Sequence, residues 1–314
     1  MRTPSFWHEP PGVISTLLRP LGWLYGWGGK VLSSFAKPQH FSVPIISVGN
    51  IVSGGSGKTP TAIALALLLQ EKGKNVHIVT RGYGGSVKGP LRVEPSHHNY
   101  QEVGDEPLLL AQQAPTWVAK HRPSGVQAAI DQGAELIILD DGHQTRSLYK
   151  DISFVVVDKT QGFGNGQVIP AGPLRESLSE GFKRTDAFIG IGGIETQLGR
   201  QIFNAKSVSQ PLKVGRVVAF CGLGFPEKFY NSLKKEGIDL IAKKSFPDHN
   251  VYEDKDLQWL LTLANEHNAQ LITTRKDWVK LPKDWQDQVN VLDIKIEFED
   301  PEGIYQFIKS RINL

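Results

Sequence analysis

Short runs of aliphatic residues recur along the chain, separated by polar and glycine-rich turns. Pro44–Val48, Val76–Thr80, Thr116–Ala119, Leu136–Leu139, Phe154–Val157 and Ala187–Ile191 each read as a buried strand. Between them lie helix-forming stretches: Ala62–Leu69 with Gly73 as its cap, a segment from Asp105 through about Gln113, and one from about Ser124 to Gln132 closed by Gly133. Strands alternating with helices at this spacing predict a mostly parallel sheet with helices on both faces, an α/β fold. Past about residue 210 the alternation resumes in Val214–Cys221, Ile238–Ala242, Leu271–Thr274 and Val291–Phe298. Helices are expected after Pro226, over Asp254–Glu266 and over Pro301–Ile312. These elements predict a smaller α/β C-terminal lobe with a cleft between the lobes. The expected division is 1–36, 37–210 and 211–314.

The first segment follows a different pattern. Val13, Leu17, Leu18, Leu21, Leu24 and Tyr25 share one helical face, with Ser15, Arg19, Gly22 and Gly26 turned away. Trp7, Trp23 and Trp27 are rings of the kind found at membrane interfaces. Arg19 and Pro20 make the run too short and too polar to span a bilayer, and Pro20 predicts a kink or two short helices. The same arginine argues against a cleaved signal peptide. Two readings remain: a helix packed on the body of the protein, or an amphipathic helix lying in a membrane surface, which we favour.

The stretch Gly49-Asn50-Ile51-Val52-Ser53-Gly54-Gly55-Ser56-Gly57-Lys58-Thr59-Pro60 joins the first strand to its helix. Strand, glycine loop, Lys-Thr and helix make a phosphate-binding P-loop. Backbone N–H groups and the helix N-terminus close around phosphate oxygens. Residues Val52, Ser53, Gly54, Gly55, Ser56, Gly57, Lys58 and Thr59 are therefore the expected nucleotide contacts. Lys58 reaches toward the β- and γ-phosphates, and the Thr59 hydroxyl toward Mg²⁺. Val52 stands where the usual pattern has its first glycine. Asp140-Asp141, ending an aliphatic strand, is the expected acidic partner for that metal ion. The loop, Arg81, Arg122 and the acidic pair all follow strand ends, where parallel sheets collect ligands. Arg81, Arg122 and Arg175 suit an anionic substrate or a transferred phosphoryl group. Asp105-Glu106 can be helix-start acids or functional groups, and His249 a surface residue or a catalyst. His97-His98 reads as surface.

Composition narrows the field. A chain of 314 residues favours two domains, and its net charge of +3, without an arginine-rich run, points to no nucleic-acid partner. The lone Cys221 excludes an internal disulfide and a cysteine-rich zinc site. A site for ATP or GTP places the protein in the cytoplasm.

The motifs taken together resemble the tetraacyldisaccharide 4′-kinase family, the lipid A 4′-kinases of Gram-negative bacteria. They are Ser47-Val48-Gly49-Asn50, the loop through Pro60, Arg81-Gly82-Tyr83-Gly84 and Gly104-Asp105-Glu106-Pro107. They continue with Leu139-Asp140-Asp141-Gly142-His143-Gln144, Gly172-Pro173-Leu174-Arg175-Glu176 and Phe220-Cys221-Gly222-Leu223-Gly224. The last are Phe246-Pro247-Asp248-His249 and Thr273-Thr274-Arg275-Lys276-Asp277. The family's loop also lacks the first glycine, and His143 stands where many members carry phenylalanine. The resemblance implies ATP and Mg²⁺ as cofactors and an acylated glucosamine disaccharide 1-phosphate as substrate. It also implies a peripheral location on the cytoplasmic face of the inner membrane. No obligate protein partner is evident in the sequence. It makes Asp105 the base, supported by His249, with Lys58, Asp140 and Asp141 in the catalytic set. Glu106, Gln144, Arg81, Arg122 and Arg175 become substrate or phosphate residues.

Two other classes fit less well. A membrane-associated ATPase of the positioning or metallochaperone type opens its loop with lysine, where this chain has Ser53. A GTPase needs an Asn-Lys-x-Asp reader, which Thr274-Arg275-Lys276-Asp277 does not supply.

Overall fold

The computed structural model describes residues 4–34, 36–194 and 199–312. Among the described residues, thirteen strands form two sheets. In chain order they are β1 (Ile45–Gly49), β2 (Val76–Thr80), β3 (Leu91–Arg92), β4 (Thr116–Val118), β5 (Leu136–Asp140), β6 (Ile152–Asp158) and β7 (Ala187–Ile191). Then come β8 (Gln201–Ser209), β9 (Arg216–Cys221), β10 (Asp239–Ser245), β11 (Gln270–Thr274), β12 (Val289–Leu292) and β13 (Ile294–Phe298). The large sheet runs β13-β8-β7-β6-β1-β5-β2-β4-β3, and the small one β10-β9-β11-β12. Among the described strands, the pairings at the two edges of the large sheet, β13 with β8 and β3 with β4, are antiparallel and the others parallel. This is the mostly parallel α/β fold that the alternation predicts.

β1, β2, β5, β6 and β7 are buried at every position, as aliphatic runs covered on both faces must be. Their side chains alternate between two cores. Ile46, Val48, Leu136 and Ile138 meet Ala62, Leu65 and Leu69 of the Lys58–Glu71 helix. Ile45, Ile137 and Leu139 meet Val126 and Ala129 of the Arg122–Asp131 helix on the other face.

The expected boundary at residue 210 does not account for the end of the chain. Val291–Phe298, read as one strand, is two: β12 closes the small sheet, and after Asp293 the chain enters the large sheet as β13. The Pro301–Arg311 helix follows, and Ile304 and Ile308 are buried in the same core as Leu65 and Leu69. Residues 294–311 therefore pack with the P-loop domain, leaving roughly β9 to β12 as the second lobe.

The N-terminal segment is one continuous helix, Val13–Ser34, with Pro20 inside it. The division into two helices is absent; Pro20 and Thr16, whose carbonyl loses its partner to the proline, both lie on the exposed side. Two of the residues expected to point away from the apolar face, Ser15 and Gly22, meet the body, while Arg19 is exposed. Ser15 is buried, and a Cβ on Gly22 would come within 2.8 Å of the Val168 carbonyl. Val13, Leu17, Trp23, Leu24 and Trp27 are 63–77% exposed. No helix among the described residues is long and apolar enough to cross a membrane.

Candidate active site

β1 sits between β5 and β6, so the loop after it opens at the carboxyl edge of the sheet, where ligands collect. Gly57 caps the following helix at φ +83°, and a Cβ there would strike Ile191 at 2.6 Å. Only glycine meets both conditions. Asn50 braces the loop from below, donating its side-chain amide to the Ser56 hydroxyl at 2.7 Å. Val52 departs from its expected place among the nucleotide contacts. It is 3% exposed and packs with Ile51, Leu174 and Phe188, so an apolar residue at the first-glycine position anchors the loop instead of facing the ligand. The cavity wall begins at Ser53 and runs through Pro60.

The acidic pair behaves as two different groups. Asp140 is buried, with Thr59 Oγ1 and Thr80 Oγ1 each 3.4 Å from its carboxylate. Burial, and the charges of Glu106 and Asp141, push its pKa up to about 7 against the pull of Lys58 and Arg122. Burial acts the same way on Asp141, but Lys58 and Arg175 outweigh it and bring that carboxyl down to about 2. Arg175 Nη1 lies 3.0 Å from both Asp141 oxygens, and Lys58 Nζ 3.9 Å from one. Asp141 also holds φ +49°, a conformation uncommon for a residue with a side chain.

Arg122, expected to face substrate, lines the cavity but turns its guanidinium to the main chain. Its guanidinium is buried and donates to the Asp140 and Asp141 carbonyl oxygens, both at 3.0 Å, and to Thr145. Those bonds hold the main chain of the acidic pair in place. Gln144 likewise donates to the Asn50 carbonyl at 2.8 Å and to Glu176 at 3.1 Å, tying the acidic segment to the base of the loop. Arg81 is exposed on the cavity wall.

From the second lobe, His249 reaches across to the first. Its Nδ1 lies 3.0 Å from Asp105 Oδ2. Asp105 is 4% exposed, and its Oδ1 accepts the Glu106 backbone N–H at 2.9 Å. Burial would raise its pKa, but the His249 hydrogen bond and the charge of Lys276 lower it below the usual carboxylate value. Three described non-glycine residues have positive φ, and two of them, Asp141 and His249 (φ +57°), stand in this site. Tyr83, in the glycine bend, places its ring centroid 5.1 Å from that of His249.

One residue of this cluster carries no role in the sequence reading. Lys276 ion-pairs with Asp248 (3.1 Å) and Glu106 (3.7 Å) and lies 3.4 Å from His249 Nε2. Burial opposes its charge, yet Glu106, Asp105 and Asp248 hold its ammonium above the ordinary lysine range. It sits in the quoted Thr-Thr-Arg-Lys-Asp motif, so the motif was visible while the partner carboxylates, far off in sequence, were not. The P-loop, Glu106, His249 and Lys276 all line one cavity of about 2440 Å³, whose wall also includes Gly22 to Gly29 of the N-terminal helix.

Residues 14–313 match the family model of tetraacyldisaccharide-1-P 4′-kinase. A tetraacyldisaccharide 4′-kinase of Paramagnetospirillum magneticum is 46% identical over 96% of both chains, and one of Jannaschia sp. is 47% identical over the same shares. Among solved structures, LpxK of Aquifex aeolicus in complex with ATP superposes with a TM-score of 0.79 at 31% identity, covering 95% of this chain and 99% of that one. Matched over nearly its whole length in sequence and in fold, the chain belongs to the tetraacyldisaccharide-1-P 4′-kinase family.

Proposed function

We propose that this chain transfers the γ-phosphate of ATP to the 4′-hydroxyl of tetraacyldisaccharide 1-phosphate, forming lipid IVA, at the cytoplasmic face of the inner membrane. The observation that carries the reading is the Asp105–His249 contact, which joins a buried carboxylate of the first lobe to an imidazole of the second lobe that lines the same cavity as the P-loop.

Ser53 to Thr59 hold the triphosphate through backbone N–H groups, and Lys58 stabilises the charge that develops on the transferred group. Thr59 and Asp140 fit Mg²⁺: both offer hard oxygen donors, and a buried carboxylate whose pKa has risen to about 7 gains most from a divalent cation. When bound there, Mg²⁺ draws charge from the phosphate oxygens. Arg175, resting on Asp141 beside Lys58, is placed to receive phosphate charge. Arg81 and Glu106 line the same approach. Asp105 accepts the proton of the sugar hydroxyl as its oxygen bonds to phosphorus and the bond to ADP breaks. His249 orients that carboxylate.

The outward apolar face of the Val13–Ser34 helix supports a membrane-surface location. Its stripe of leucine and tryptophan turns away from a small-residue contact with the body, as an interfacial helix requires. Its Gly22–Gly29 segment on the cavity wall would lead an acylated substrate from the bilayer toward the phosphate site. Incubating the protein with Mg²⁺-ATP and the acylated disaccharide 1-phosphate tests the assignment. Product phosphorylated at the 4′ position is expected; ATP turnover that ignores the lipid would refute it.

A further inference from the structure

We infer that Lys276 is a positioning residue that fixes His249 as the neutral Nδ1–H tautomer, so that the proton-accepting group of the lipid kinase reaction is Asp105 alone. The inference rests on the functional reading above and adds a direction to the proton chain within it.

The argument starts from donor and acceptor inventory. A lysine ammonium has three N–H donors and no lone pair. Lys276 faces three groups: Asp248 Oδ1 at 3.1 Å, Glu106 Oε1 at 3.7 Å and His249 Nε2 at 3.4 Å. The carboxylates hold it charged, so Nε2 must offer a lone pair. Asp248 Oδ1, 3.9 Å from Nε2, is too far to accept from it, so an Nε2–H ring, or a doubly protonated one, would set N–H against the nearer ammonium N–H. The ring proton therefore sits on Nδ1, which faces Asp105 Oδ2 at 3.0 Å. The polarity then runs one way, from Lys276 to the ring and from the ring to Asp105. With Nδ1 already protonated, the ring cannot take a proton from Asp105. Oδ1 also receives the Glu106 N–H at 2.9 Å, so both carboxylate oxygens are oriented and each keeps a lone pair. In the reaction the sugar O–H proton goes to Asp105 as the O–P bond forms and ADP departs with the electrons of the broken P–O bond.

The placement of Lys276 also makes the device depend on both lobes. Lys276, Asp248 and His249 come from the second lobe, whereas Glu106 and Asp105 open one short helix of the first. The lysine gathers these groups in a single contact.

Histidine-ring nitrogen NMR at neutral pH reads the tautomer directly, with His249→Gln identifying the His249 signals. The wild-type ring is expected to show a protonated Nδ1 and an unprotonated Nε2; a protonated Nε2 would overturn the inference. Lys276→Met should shift the Nε2 signal and lower kcat by about 100-fold, with KM for ATP changed less than about threefold. Lys276→Arg, which keeps a charged donor, should restore the wild-type ring signature and part of kcat. An unchanged ring spectrum and kcat in Lys276→Met would also overturn it. If the methionine variant does not fold, the wild-type spectrum and the arginine variant decide. A wild-type protein that binds ATP but phosphorylates no lipid would sink the functional reading alone, because the ring spectrum reports independently of turnover.

Discussion

Lys58 Nζ lies 3.9 Å from Asp141 Oδ1, and Arg175 holds the same carboxylate at 3.0 Å, so the loop lysine shares its counter-ion with a second cation. Asp141 keeps a partner when Lys58 is removed. Lys58→Ala should therefore fold normally while losing about 3 kcal/mol of transition-state stabilisation, roughly 100-fold or more in kcat. Steady-state kinetics together with thermal unfolding check both halves. Turnover within about tenfold of wild type would remove Lys58 from the site.

The C-terminal helix belongs energetically to the P-loop domain. Ile304 and Ile308 are fully buried against Leu65 and Leu69. Ile304→Ala should destabilise that domain by about 2–5 kcal/mol. Denaturant unfolding with and without ATP measures it. A loss confined to the second lobe, with ATP affinity unchanged, would contradict the observed division.

Stability should depend on Asp105 with a definite sign. Its pKa in the folded protein lies below the ordinary carboxylate value, with burial opposing and the His249 hydrogen bond and Lys276 favouring the charged form. The unfolded state then binds the proton more readily. The stabilisation is present above the unfolded pKa and disappears as pH falls through the lower folded value. Unfolding free energies of wild type and Asp105→Asn should therefore converge in acid and separate toward neutral pH. Parallel curves would show that the carboxylate gains nothing on folding.

The N-terminal helix gives opposite expectations for its two faces. Leu17→Ser with Leu24→Ser, on the exposed face, should weaken binding to anionic vesicles and leave ATP binding intact. Gly22→Leu should disturb the seating of the helix, since even a Cβ meets the Val168 carbonyl at 2.8 Å. Vesicle co-sedimentation separates them. Loss of ATP binding in the serine variant would mean that the helix belongs to the core of the protein.

What could be read from the sequence follows from locality. β1, β5 and β6 are near-continuous aliphatic runs, and the glycine loop places its chemistry within a dozen adjacent residues. β8 escaped notice because Asn204, Lys206 and Ser207 interrupt its apolar positions near the open edge of the sheet. The passage of the chain from one sheet to the other at Asp293 has no local signal; Arg275, a neighbour only in space, pairs with it. The same limit hid Lys276 and the scaffold role of Arg122, whose guanidinium serves carbonyls 18 and 19 residues away. The pairing of Asp105 with His249, 144 residues apart, is implied by the family resemblance and by no local signal, and is present as a 3.0 Å contact.

The claim at the centre of the account is that Asp105 and His249 act as one unit across the cleft. Asp105→Ala, His249→Ala and the double variant, compared with wild type at saturating ATP and lipid, test it most directly. Each single variant should lower kcat by about 100-fold or more with little change in ATP affinity. The double variant should be scarcely slower than the poorer single one, because groups that act together are not additive. Losses that multiply in full would assign the two residues independent roles, and a normal rate in Asp105→Ala would remove it as the base.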